Sequence, residues 1–147
     1  MTKGLWMVAA APCAVAIVFA ASGVDAFVTG RPLVWPSRPV TLSEAMANRD
    51  QGEVVRQVAA GVSLDGRYDV YDVIKSGRHT PATPLEASIA TREQYMFELG
   101  LAYGARLGPD NARVLFCLAD AERATDIRDD LLRKFGPQDC RGVPLPW

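Results

Sequence analysis

The sequence has few of the side chains that usually carry catalysis or hold metals. It contains a single histidine, His79, and three cysteines, Cys13, Cys117 and Cys140, with no C-x-x-C pair among them. Transition metals are held by clustered Cys and His ligands, so neither a metal site nor a cofactor is expected. There is no G-x-S-x-G elbow, no H-E-x-x-H pair and no G-x-x-x-x-G-K-[ST] phosphate loop. Those absences argue against an elbow-type hydrolase, a zinc protease and a P-loop nucleotidase. A basic excess is missing too. Lys and Arg number 16 against 17 Asp and Glu, which leaves no electrostatic footprint for nucleic acid. Two acidic groupings remain. Asp65, Asp69 and Asp72 lack the spacing and terminal Glu of a calcium loop, and Asp126, Asp129 and Asp130 fall on an expected helix beside Arg128 and Arg133. Solvated surface charge explains both. The expectation is a protein that is not an enzyme, and only a cleft joining Asp69, Asp72 and His79 with shifted acid or base groups would reverse it.

Charge is also absent from Gly4 to Val24, where its absence is informative. This apolar run is long enough to cross a bilayer core, which takes about 20 helical residues. It exceeds the roughly 7 to 15 residues of a signal-peptide apolar region, so residues 1–25 read as a retained single-pass transmembrane anchor. Cleavage near Ala20-Ala21-Ser22 or Val24-Asp25-Ala26 is the competing reading. Lys3 precedes the run while Arg31 and Arg38 follow it, which nearly balances the Lys/Arg bias that sets orientation. The remainder is placed outside the cytoplasm, in the periplasm if the host is bacterial. Residues 26–40 contain Pro32, Pro36 and Pro39, and proline both removes a donor and restricts the residue before it. They read as an extended linker, with Phe27 and Trp35 suited to a membrane interface or Leu33 and Trp35 to covering the end of the following fold.

From residue 41 the chain repeats. Thr83-Pro84-Leu85-Glu86 has the form of a helix-opening capping box with proline at the first helical position. Thr91-x-x-Gln94 reads as a second box, and Gly104 as the left-handed stop of the second helix. An offset of 43 residues lays Leu42 on Leu85, Met46 on Ile89, Val54 on Phe97, Val58 on Leu101 and Gly61 on Gly104. Thr41-x-x-Glu44 and Asp50-x-x-Glu53 repeat the capping signals. A degenerate third copy runs through Leu115, Leu118 and Ala119, then Thr125-Asp126 as a cap, Ile127, Leu131 and Leu132 on one face, and Phe135-Gly136 as the end. The T-P-L opening, the helix pair and the closing Gly104-Ala105 resemble the ankyrin repeat over residues 41–136. The chain carries Glu86 and Ser43 where that family has histidine after T-P-L. Its step is longer than the family's roughly 33 residues, and the excess falls between Leu64 and Thr83.

The expected fold is therefore all-α, an ankyrin-like stack of about three helix–turn–helix units (41–64, 83–107 and 112–136), with a finger at 65–82 and a C-terminal tail at 137–147. Asp65-Gly66 and Ser76-Gly77 are turn signals flanking residues of strand character, so the finger reads as an extended loop or irregular hairpin. Insertions in repeat proteins often form the binding face, and Tyr and Arg are enriched in hot spots. Arg67, Tyr68, Tyr71, Lys75, Arg78 and His79 are the candidate protein-binding residues; the alternative is that Tyr68 and Tyr71 pack the finger onto its own helices. Leu101 is expected in the core between helices. Gly100, whose spacing to Gly104 mimics a membrane-dimerisation motif outside any apolar span, reads as a close-packing residue. Cys117 is expected as a small buried hydrophobe and Cys140 as a free tail thiol, in preference to a disulfide.

The ankyrin resemblance implies protein–protein recognition through finger and concave helix face, without catalysis. The expected function is a membrane-tethered binding module for a protein partner, with no nucleic acid and no metal. A secreted or periplasmic soluble inhibitor or immunity-type protein, and an accessory subunit of a membrane complex, are the alternatives.

Overall fold

Short local signals decide where the helices begin. In the computed structural model, which describes residues 39–72 and 78–146, helix α1 (Leu42–Ala47) starts at Thr41. The Glu44 N–H donates to the Thr41 hydroxyl, and the Thr41 N–H donates back to the Glu44 carboxylate. Helix α2 (Gln51–Ala59) is capped by Asp50, which accepts the Glu53 N–H. A hairpin follows, β1 (Tyr68–Asp72) and β2 (Arg78–Ala82), paired antiparallel with Tyr68 opposite Ala82 and Asp72 opposite Arg78. Helix α3 (Pro84–Ala90) opens at Thr83 and Glu86 with the same reciprocal box as α1. Pro84 at its first position sacrifices no hydrogen bond, because the N–H it lacks would be unsatisfied there. Helices α4 (Gln94–Ala102), α5 (Pro109–Glu122) and α6 (Thr125–Phe135) complete the described chain.

Three helix pairs result, α1/α2, α3/α4 and α5/α6, and they share one turn. Arg49, Arg92 and Arg123 each follow or close the first helix of a pair with φ of 61°, 61° and 58°. Left-handed backbone costs a non-glycine residue roughly 1–2 kcal/mol. In each turn the next N–H reaches back into the helix: Asp50 to Ala45 O, Glu93 to Ser88 O and Ala124 to Ala119 O, at 2.9, 2.9 and 2.8 Å. The same step thus swings the second helix against the first three times over. Gly61 and Gly104, at φ 85° and 99°, end α2 and α4.

The first helices form the centre of the stack. α3 packs on α1 on one side and on α5 on the other, while α4 also touches α6 and β1 lies on α1. Leu42, Met46, Ile89, Leu118 and Ile127 are fully enclosed, joined by Val54, Leu85, Phe97, Leu115 and Leu131 in one apolar core. Gly100 lets α4 approach this row: a Cβ there would meet Leu85 Cδ2 at 3.0 Å and Met46 Cε at 3.1 Å.

Several sequence expectations are revised. Thr91 does not cap α4; it closes α3, and its hydroxyl donates to Ala87 O and Ser88 O. α4 starts at Glu93 and α6 at Ala124, both without a side-chain cap. α5 begins at Pro109, ahead of the expected start of the third unit at residue 112. α3 is one residue longer than α1, so the two capping boxes do not obey the ungapped 43-residue offset that holds from Arg49 and Arg92 onward. Leu101 is only half-buried at the edge of the core, and the inward face of α4 is formed by Met96, Phe97 and Gly100. The expected anchor at 1–25, most of the linker, Lys75 and Trp147 lie outside the described residues. Among the described residues no helix is long and apolar enough to cross a membrane.

These positions separate in a stability measurement. Phe97→Ala is expected to cost about 3–5 kcal/mol in urea unfolding, and Leu101→Ala less than about 2 kcal/mol. Equal losses would contradict the placement of the inward face.

Candidate binding surface and cleft

The hairpin is fastened to the start of α1 by polar side chains that the helix cap has already positioned. The Thr41 hydroxyl donates to Asp69 O at 2.8 Å, and the Tyr71 N–H donates to Glu44 Oε1 at 3.0 Å. Ser43 Oγ, fully buried, donates to Ala82 O at 2.7 Å and so holds the second strand. Glu44 is almost wholly buried, and its two carboxylate oxygens serve different elements: Oε2 caps α1 and Oε1 receives β1. A buried carboxylate is tolerated where hydrogen bonds replace its hydration.

The six candidate residues divide between support and surface. Tyr68 is half-buried against the core and its hydroxyl donates to Ser63 O at 2.7 Å. Arg67 reaches Glu86 Oε2 at 3.3 Å and donates to Pro81 O at 3.1 Å, tying the start of the hairpin to its end and to α3. Both thus help to hold the hairpin, and Tyr68 packs it against the core, while the Arg67 side chain stays about half exposed. Tyr71 stays 45% exposed, its ring tilted against that of the exposed His79 with centroids 5.1 Å apart. Arg78 pairs through its backbone with Asp72; the side chains of Asp72 and Arg78, and all of Lys75, lie outside the described residues.

A cleft of about 640 Å³ opens beside the hairpin base. Leu85, Leu115 and Leu145 supply apolar wall; Arg67, Thr83, Glu86, Asp65 and Arg106 supply polar groups. Asp65 accepts the Arg106 N–H at 2.8 Å and pairs with its guanidinium at 3.1 Å, which latches the loop after α2 to the loop after α4. Asp69 and His79 do not line this cleft, so they are not gathered with an acid–base constellation there. Asp129 and Asp130 pair with Arg128 and Arg133. Among the described residues no three His, Cys, Asp or Glu side chains gather as a metal-binding group. The two guanidinium pKa values held above the ordinary arginine value, at Arg56 by its hydrogen bond to Glu53 and at Arg128 by those to Asp129 and Asp120, belong to the solvent-facing surface.

The tail forms another wall of the cleft through Pro144, Leu145 and Pro146. It is held there covalently. Cys117 and Cys140 form a disulfide with Cα atoms 5.4 Å apart, which corrects the expectation of a buried thiol and a free one. After α6 the chain returns along α5, where the Arg113 guanidinium donates to Asp139 O and Arg141 O and brings Cys140 over Cys117. Compared with known proteins, the chain matches no family model, no curated protein and no solved structure.

Glu44→Ala is expected to cost roughly 1–3 kcal/mol by removing the cap and leaving the Tyr71 N–H without its acceptor. The specific sign is faster hydrogen exchange at the Tyr71 amide, and an unchanged rate there would contradict the bridge. Reducing the disulfide is expected to cost about 2–5 kcal/mol, read as a lowered melting temperature in dithiothreitol together with the appearance of two thiols that the oxidised chain does not titrate.

Proposed function

We propose that this chain is a non-catalytic protein-binding module, an ankyrin-like stack working outside the cytoplasm and tethered to a membrane through residues 4–24. The observation that carries the reading is the hairpin. Its base is fixed by Thr41, Ser43, Glu44, Arg67 and Tyr68, while the paired rings of Tyr71 and His79, tilted against each other, are exposed. A rigid base with exposed aromatic rings suits recognition, because little side-chain entropy is lost when such a surface is covered. The disulfide supports an oxidising compartment, where such bonds persist. The ankyrin-like assignment is supported by the repeated capping boxes, the three equivalent left-handed turns and the row of first helices. The same surface would serve a secreted inhibitor or immunity-type protein if the N-terminal segment were cleaved.

Crosslinking pull-down of the full-length chain from its host's membranes, run beside a Tyr71→Ala/His79→Ala double variant, tests this. A protein captured by the parent and depleted at least about tenfold in the variant, the loss expected when hot-spot contacts worth 1.4 kcal/mol or more are removed, would support the hairpin as the recognition surface. Identical capture by both would remove it. Intact mass of the membrane-derived chain separates the retained anchor from the cleaved form.

A further inference from the structure

The two capping boxes are built alike but are not used alike. In the first, the Thr41 hydroxyl donates to Asp69 O and Glu44 Oε1 accepts the Tyr71 N–H, so one extended strand is read at its alternate backbone groups. In the second, Glu86 Oε2 accepts the Thr83 N–H and pairs with Arg67, and the Thr83 hydroxyl accepts the Glu86 N–H. The Thr83 hydroxyl proton and Glu86 Oε1 have no partner among the described residues. Glu86 is only 4% exposed, and a buried carboxylate oxygen without a donor is costly to leave unfilled.

The cause lies in the connection. After α2 the chain makes a hairpin before α3, but after α4 it passes directly through residues 103–108 into α5, so no strand is delivered to the second box. Its place is the cleft, which Thr83 and Glu86 both line. The tail borders this space through Pro144, Leu145 and Pro146; the two prolines have no N–H to offer, and the Leu145 N–H makes no hydrogen bond to Thr83 or Glu86. Leu85 replaces Ser43, the group that holds the second strand in the first box. The second box therefore lacks the anchor for a hairpin and retains both anchors for a single strand, beside an apolar wall.

We propose that this cleft binds an extended peptide segment of a partner protein, which donates one backbone N–H to Glu86 Oε1 and accepts the Thr83 hydroxyl proton on the carbonyl two residues earlier, in the manner of β1 on α1. The site goes beyond the hairpin surface and does not depend on Tyr71 or His79, so failure of the pull-down above leaves it standing. The probe is a capped peptide copying residues 67–72, Arg-Tyr-Asp-Val-Tyr-Asp, titrated into the full, isotope-labelled chain in mild detergent. Saturable amide shifts are expected at Thr83, Leu85 and Glu86. The same peptide N-methylated at the residue copying Tyr71 lacks the required donor and is expected to bind about tenfold more weakly. Absence of saturable shifts at millimolar peptide, equal affinity of the two peptides, or shifts at Thr41 and Glu44 in place of the cleft residues would each overturn the proposal.

Discussion

Everything else in the stack depends on α3 being covered from two sides. Pro84 through Ile89 are all buried, and a helix of this length has no independent stability in water, where nucleation is costly and fewer than about 12 residues rarely suffice. It persists because α1 and α5 close over it. Such a position favours small side chains, met here by Ala87 and by Ser88, whose hydroxyl donates to Leu85 O at 2.8 Å and so brings no unsatisfied polar group into the core. Gly100 extends the same economy of space to α4. The stability of each pair is thus borrowed from its neighbours.

Polar groups then decide what the stack can hold. A Thr/Glu box at a helix start leaves one carboxylate oxygen and one hydroxyl proton after the cap is made. α1 spends these on the hairpin, and that is why a short two-stranded ribbon, marginal in isolation, has a fixed seat. Arg67 links the two systems, since it spans the hairpin ends and meets the Glu86 carboxylate. The tail, fixed by its disulfide and by Arg113, closes the far side of the cleft.

What was legible in the sequence was local. The Thr41/Glu44 and Thr83/Glu86 boxes, the glycine stops and the strand character of the hairpin are each decided by a few consecutive residues. Thr91 misled because a hydroxyl near a helix end bonds backward to the preceding turn as readily as forward. Leu101 misled because the offset aligns apolar letters without regard to angle: it lies next to Gly100, one residue around the helix from the buried face. The left-handed arginines carried no signal, since glycine is the residue usually read for that conformation. Arg67 read only as a binding candidate, because its contacts to Pro81 O and Glu86 come from residues brought near by the hairpin and α3 and not from its neighbours in sequence. The pairing of Cys117 with Cys140 depends on how α6 doubles back along α5, and no spacing of two cysteines encodes that.

The disulfide also changes how the stack would respond to being pulled. Cys117 sits within α5 and Cys140 lies beyond α6, so the covalent loop between them encloses the whole of α6. Tension applied at the C-terminal end passes from Cys140 straight into α5 and skips the last helix. Under load α6 is a bystander, and the element that must first resist is α5, the long helix packed against α3. The chain thus carries force from its tail directly into the row of first helices.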